Sequence, residues 1–377
     1  MQKQATVALL VVTVGLAVPA RAQTIECESP SNRLRSTVVF ASTRDNLTAT
    51  TAEGLEIYRM DLDVDATGNP MLVQERRLTE NLDGEFLPTL SPDGKGWIVF
   101  DSNRVRKLDP RERPNSTDLF LMREDGSEVR FLARGSSATW SPDGKHIAFH
   151  RSASDQIVAP PGNPSPGAPT DDSDIFVLRV RRGTPEPTNL TFEEHRLYIN
   201  EDADWSPDGK RIAFARKSVF DNKFPANTGD IWVMNADGTD KRQLTGLTAD
   251  TVFEDKSPAW SPDSQFIAYS CRSGPAVVPA QNPPEICVIN ADDENPIPTR
   301  LTSTPQGELG AHWVPSPDGD ANKILYQRPL AGQGQQIWMM NADGSEQTQL
   351  TFPLDGTNQF PNWGVIKAKC DVDKKGK

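Results

Sequence analysis

Between Val38 and Trp363 the chain is a succession of short apolar runs separated by turn-forming residues, and the runs recur as a set. One run reads "VVF" at Val38, "IVF" at Ile98, "IAF" at Ile147, "IAF" at Ile212, "IAY" at Ile267 and "ILY" at Ile324. A second reads "EIYRM" from Glu56, "DLFLM" from Asp118, "DIFVL" from Asp174, "DIWVM" from Asp230, "EICVI" from Glu285 and "QIWMM" from Gln336. A third is the short "RLT" at Arg77, "FLA" at Phe131, "NLT" at Asn189, "QLT" at Gln243, "RLT" at Arg300 and "QLT" at Gln349. Before most copies of the first run stands a turn, "SPDG" or "SPDS", with its aspartate at Asp93, Asp143, Asp208, Asp263 and Asp318. Leading into it is a strand ending in Leu90, Trp140, Trp205, Trp260 or Trp313, with Trp363 as a sixth member. Each unit thus predicts four antiparallel strands, called A to D in chain order. In "SPDG" the proline presets φ for the first inner position and the glycine accepts the left-handed exit, so the phrase is a turn before it is anything else.

Strand C is apolar on both faces. In "DIWVM", Ile231 and Val233 point one way, and Trp232 and Met234 the other. Such a strand needs cover on both sides, which radial stacking of small sheets supplies. The expected fold is an all-β, six-bladed propeller of four-stranded antiparallel blades. The first unit has B, C and D but lacks A, while Phe360–Trp363 is an A strand without a unit. Pairing of the N- and C-terminal strands is therefore expected to close the ring.

Composition agrees with many strands and turns: the hydrophobic fraction is 36%, with 26 Gly and 31 Pro in 377 residues. The net charge of -12 argues against binding a phosphate backbone, so no nucleic-acid partner is expected. Lys3, the apolar Ala5–Val18 stretch and the Ala20/Ala22 pair predict a signal peptide over 1–22, cleaved near Ala22. The protein is then periplasmic or secreted, with no transmembrane anchor. Residues 23–36 form an N-terminal extension, 37–363 the propeller and 364–377 a C-terminal tail. Export lets cysteines pair. Of the three pairings open to four cysteines, strand placement favours Cys271–Cys287 within one blade and Cys27–Cys370 across the two ends.

"WSPDGKRIAFAR", Trp205 to Arg216, followed by "GDIWVMNADGTDKRQLT", Gly229 to Thr245, resembles the TolB-type propeller repeat, also called PD40 or WD40-like. The pattern runs through nearly all of 37–363, and it resembles the propeller module rather than a whole TolB, which carries a further α/β domain. The resemblance implies an envelope protein of the Tol–Pal setting with a protein partner. It also implies that strand A is innermost, beside a central channel.

Reversal of direction at each strand puts the tight A–B and C–D turns on one face, and the longer B–C and D–A loops on the other. Long loops on a rigid scaffold are the usual place for recognition. The D–A loops bring Asp83, Glu85, His195, Tyr198, Glu201, Asp202, Glu254, Asp255, Glu308 and His312 toward the channel as an acidic rim. Such a rim suits a basic peptide segment or a cation. No cofactor is required, and calcium is the candidate ion. The main reading is an exported, non-enzymatic scaffold that binds a protein or peptide of the cell envelope through this face. The alternative is a channel-mouth hydrolase or lyase for a carbohydrate or small molecule. It would use paired rim carboxylates such as Glu201 with Asp202 or Glu254 with Asp255, with a divalent cation as an optional aid. A further regularity is an arginine after each strand B (Arg44, Arg104, Arg151, Arg216, Arg272, Arg328). It is matched by an acid opening five of six C strands (Glu56, Asp118, Asp174, Asp230, Glu285, with Gln336 the exception). Both groups lie at one end of each blade, where they are expected to tie it together.

Overall fold

The computed structural model of the chain describes residues 34–45, 54–64, 70–81, 83–104, 117–152, 173–181, 186–192, 198–218, 229–246, 255–272, 283–315, 322–332, 334–352 and 356–367. The expected signal segment, Cys27, Cys370, His195, Glu254 and most of the long B–C loops lie outside these residues. Among the described residues no helix is long and apolar enough to cross a membrane.

The strands follow the repeat closely. The first unit supplies β1 (Leu34–Ser42), β2 (Glu56–Val64) and β3 (Pro70–Arg77). The second supplies β4 (Glu85–Leu90), β5 (Trp97–Ser102), β6 (Asp118–Arg123) and β7 (Arg130–Arg134). Then come β8 (Ser136–Trp140), β9 (His146–Ser152), β10 (Ser173–Arg179) and β11 (Thr188–Asn189). These are followed by β12 (Tyr198–Trp205), β13 (Arg211–Ser218), β14 (Asp230–Asn235) and β15 (Arg242–Gln243). The fifth unit is β16 (Lys256–Trp260), β17 (Phe266–Cys271), β18 (Glu285–Asn290) and β19 (Thr299–Arg300). The last is β20 (Leu309–Val314), β21 (Lys323–Leu330), β22 (Gly334–Asn341) and β23 (Thr348–Gln349), with β24 (Asn358–Lys367) closing the series.

The sheet count corrects the expectation of six separate four-stranded blades. Hydrogen bonding forms four small four-stranded antiparallel sheets and one eight-stranded sheet in a propeller-like arrangement. The eight-stranded sheet arises because β10 and β12 meet in parallel at one position, Ser173 opposite Ile199. Side chains reinforce the junction: Ser173 Oγ donates to the Asn200 carbonyl at 2.9 Å, and Asn200 Nδ2 donates to that of Ser173 at 3.1 Å. Closure is corrected too. β24 and β1 do pair antiparallel, with Val38 opposite Trp363. That pairing completes one sheet of order β24-β1-β2-β3, and none of the sheets closes on itself into a barrel.

Apolar side chains from neighbouring units interleave to make the core. Val39, Ile57 and Phe100 share one cluster, for example, and Val38, Tyr58 and Leu325 another. Each large side chain buried this way contributes roughly 1.5–3 kcal/mol. Cys271 and Cys287 form a disulfide across β17 and β18.

The described turn aspartates, Asp93, Asp143, Asp208 and Asp263, are absorbed by their own turns, and Asp318 lies outside the described residues. Asp143 Oδ1 accepts from Ser141 Oγ at 2.6 Å and from the Lys145 amide at 3.0 Å, while Ser141 Oγ accepts from the His146 amide. Chiefly through the Ser141 bond, the Asp143 carboxyl is pulled down to about 2. Asp143→Ala is expected to cost about 1 kcal/mol of unfolding free energy, measured by urea denaturation, without altering the channel. An unchanged midpoint would remove the turn network from the account.

Candidate functional site

The channel side of the molecule is built from strand edges. β4, β8, β12, β16, β20 and β24 each touch the next, and β24 touches β4. They surround a cavity of about 400 Å³. Each strand supplies a short run to the wall, and each run contains a register shift where an extra residue bulges from the pairing. The bulged residue sits in the left-handed region in all six: Leu87 (φ 47°), Ser137 (54°), Asp202 (52°), Ser257 (51°), Gly310 (65°) and Phe360 (54°). Only one is glycine. Bulky residues rarely adopt this conformation, so the surroundings must impose it.

Those surroundings are visible for four of the six. The residue ending the apolar run of one unit reaches the bulged amide of the next. Asp101 accepts from the Ser137 N–H at 3.1 Å, His150 Nδ1 from the Asp202 N–H at 3.4 Å, Ser270 Oγ from the Gly310 N–H at 3.1 Å, and Gln327 Oε1 from the Phe360 N–H at 3.0 Å. A second belt lies two residues further along each strand. Thr89 Oγ1 donates to the Ala138 carbonyl, and Thr139 Oγ1 to Asp204. Asp204 also accepts from the Trp260 amide at 2.8 Å. Asn362 Nδ2 lies 3.4 Å from His312 Nε2, and Asn362 Oδ1 accepts from the Leu90 amide at 2.9 Å. The cavity walls are thus cross-linked from strand to strand.

Burial shapes the acids and bases around this belt. It pushes Asp204 up to about 6 and Asp101 up to about 7, where the nearby charge of Asp202 adds to the effect. It pushes His312 down to about 4, so the imidazole is neutral at pH 7.

Of the expected rim residues, Asp202 and His312 line the cavity. Glu201, next in chain to Asp202, faces a separate crevice with Asp255, and its carboxylate lies 3.4 Å from Lys217 Nζ. The adjacent pair Glu201 and Asp202 therefore does not share a site. Tyr198 stacks under the Arg216 guanidinium at 4.7 Å. Asp83 is half-buried, and its amide donates to Asn81 Oδ1. Glu85 and Glu308 are fully buried: Glu85 accepts from Arg104 at 2.7 Å and Glu308 from Arg328 at 2.7 Å. His195 and Glu254 lie outside the described residues. Among the described residues, no three His, Cys, Asp or Glu side chains come together as a metal site.

Recurrent arginines and acids make contacts that tie each unit to itself. Four arginines bond a residue at or near the start of strand A in the same sheet: Arg104 to Glu85, Arg216 to Asn200, Arg328 to Glu308 and Arg44 to Asn358. They also lie over aromatic rings, as Arg328 does over Trp338 at 4.6 Å. The residue opening strand C instead takes a hydrogen bond from the threonine of "xLT": Glu56 from Thr79, Asp174 from Thr191, Glu285 from Thr302, and Gln336 from Thr351.

The sequence pattern missed the bulges and their caps. The polar residue closing four of the apolar runs (Asp101, His150, Ser270, Gln327) was the available signal, because nothing in a sheet interior calls for it.

Against this geometry the comparisons narrow the resemblance stated above. No family model matches the chain. Tol-Pal system protein TolB of Anaeromyxobacter sp. (strain K) is 35% identical over 104 residues, which is 26% of this chain and 21% of that protein. TolB of Anaeromyxobacter dehalogenans matches to the same extent. The match therefore spans about a fifth of the length of these curated relatives. A resemblance expected through nearly all of 37–363, with six blades, is corrected to a partial one. Among solved structures, an ancestral GH74 enzyme covers 84% of this chain and 36% of its own at 12% identity, with a TM-score of 0.44. The acylaminoacyl peptidase of Pyrococcus horikoshii covers 86% and 45% at 13% identity, with a TM-score of 0.41.

Proposed function

We propose that this chain is an exported, propeller-like scaffold that binds a protein or peptide of the cell envelope in the cavity described above. The observation that carries this reading is the wall itself. β4, β8, β16, β20 and β24 pair with another strand on one side only, so the other edge of each lies along the cavity; neighbouring units bond part of that edge, including the Leu90, Ser137, Gly310 and Phe360 amides and the Thr89 and Ala138 carbonyls, and the rest is what an extended chain would meet. Sheet edges of this kind recognise extended chains through main-chain hydrogen bonds. The cavity volume falls in the range of ligand sites, ~300–1,000 Å³. The cross-links between strands hold the wall rigid, which lowers the ordering cost of binding. The partial match to Tol-Pal system protein TolB supports the envelope setting and a protein partner.

An array of randomised heptapeptides, capped at both ends, tests the reading. The purified protein is expected to bind a subset of the array. Leu309→Trp, which enlarges a partly buried wall residue outside the apolar clusters, is expected to abolish that binding with circular dichroism unchanged. Binding that survives the plug places recognition elsewhere and overturns the proposal.

A further inference from the structure

The six bulged residues form one layer of the cavity wall, and its chemistry is unequal around the circumference. In order they are Leu87, Ser137, Asp202, Ser257, Gly310 and Phe360, and Phe360 lies beside Leu87 again because β24 touches β4. One arc, Phe360 with Leu87, is apolar. The opposite arc is Asp202 flanked by two serines, and Phe360 stands three strands from Asp202 in either direction. Ser257 Oγ donates to Asp202 Oδ2 at 3.1 Å, and the Asp202 amide is capped by His150. The carboxylate is therefore positioned, and it keeps a second oxygen with acceptor capacity. Asp204, the other lining carboxylate, is differently placed, since Thr139 and the Trp260 amide both bond it. Lys256 is the one cation among the described lining residues, and His312 contributes no charge at neutral pH. The layer so built is a two-sided clamp, with a carboxylate on one side and an aromatic ring across from it.

We propose that the cavity selects peptides that carry an ammonium or guanidinium group next to an aromatic or aliphatic side chain, with Asp202 taking the cation and Phe360 and Leu87 the apolar group. This rests on the peptide-binding reading above and specifies its ligand. A Lys or Arg side chain and a free chain N-terminus are the two sources of such a cation; the chemistry at Asp202 is the same, and the test separates them. A hydrogen-bonded charge pair that is partly shielded from water contributes about 1.5–3 kcal/mol, which converts to roughly 10–150-fold in affinity.

The same capped array supplies the probes. Among peptides lost on Leu309→Trp, those with Lys or Arg beside Phe, Tyr or Leu are expected to dominate. Resynthesis with norleucine for Lys is expected to weaken them about tenfold or more. Asp202→Asn is the decisive variant, because asparagine tolerates the left-handed conformation and still accepts from Ser257 while carrying no charge. It should bring the Lys and norleucine peptides within about twofold of each other. Phe360→Asn, also tolerant of its backbone, should remove the preference for an apolar neighbour while leaving that for the cation. An uncapped norleucine–Phe peptide that binds as well as the capped Lys peptide identifies the N-terminus as the source. One that does not identifies the side chain. If plug-sensitive peptides bind wild type and Asp202→Asn with the same indifference to charge, this inference fails and the peptide-binding reading stands. If no peptide is plug-sensitive, both fail.

Discussion

Replacing Arg328 by alanine is expected to lower the unfolding free energy by about 3–5 kcal/mol, the cost of removing one partner from a buried ion pair. Glu308 has no exposed surface, and Arg328 has little. Arg328 Nε donates to Glu308 Oε1 at 2.7 Å, and Nη2 donates to Gln347 Oε1 at 2.7 Å. The guanidinium also lies over the Trp338 and Tyr326 rings, at 4.6 and 5.3 Å. Truncation removes all of these contacts and leaves the buried Glu308 carboxylate without its countercharge, with Thr304 Oγ1 still donating to it at 2.6 Å. Combining Arg328→Ala with Glu308→Gln should recover part of the loss, because the stranded charge is gone while the lost stacking remains. Urea titrations of the single and double variants measure this. A single-variant loss below about 1 kcal/mol would show that the pair contributes little, as exposed pairs do.

Stability is also expected to fall by about 2–4 kcal/mol as pH rises from 6 to 8. Three carboxyls are pushed up to about 7: Glu85, Asp101 and Glu285. Burial is the main cause in each. Glu285 additionally shares a hydrogen bond with Glu308 across the junction between units. In the unfolded chain these groups titrate near ~4. The folded state therefore holds protons between pH ~4 and ~7 that the unfolded state has released, and their contribution fades as pH climbs through 7. His312 acts in the opposite sense, because its folded value of about 4 lies below the unfolded ~6.5; its contribution is lost as pH falls from ~6.5 toward 4. Between pH 6 and 8 it offsets the fall by under about 1 kcal/mol, and the three carboxyls still decide the slope.

The molecule carries its own comparison for the Glu285–Glu308 pair. At the equivalent junction Gln336 and Asn358 meet, and Asn358 Nδ2 donates to Gln336 Oε1 at 3.0 Å. Two amides make there the neutral contact that two carboxyls can make only while one keeps a proton. Glu285→Gln should consequently raise stability at pH 8 by about 1 kcal/mol and flatten the slope by its share. Equal unfolding free energies at pH 6 and 8 in the parent protein would refute the protonated state.

Strand positions were legible because each unit repeats an apolar run at a fixed place after a proline–aspartate turn; β13 and β14 could be marked from "IAF" and "DIWVM" alone. Three features were not legible, each for a physical reason. Left-handed backbone usually announces itself as glycine, but the cavity places leucine, serine, aspartate and phenylalanine there, and Ser137, Asp202 and Phe360 are capped from another unit. Glu85 and Glu308 read as exposed rim charges because carboxylates normally stay in water; their burial depends on arginines about twenty positions away, whose side chains lie back along the sheet. The fusion of β10 to β12 rests on one backbone pair and two side-chain bonds, too little to leave a periodic trace. Asp202 and His312 were legible as candidates, whereas the apolar arc opposite them was hidden inside the strand pattern.

The partnership of β1 with β24 has a consequence for how the molecule is made. Arg44 and Asn358 bond across it although 314 positions separate them along the chain. During synthesis β1, β2 and β3 emerge early and must wait with a bare flank until β24 arrives. Contacts so remote in sequence form slowly, because the entropy of bringing them together is spent before any reward. The waiting edge is where a nascent chain is most exposed to pairing with the wrong neighbour, so helpers that hold unfinished chains apart should matter more for this protein than its turn-rich repeat implies.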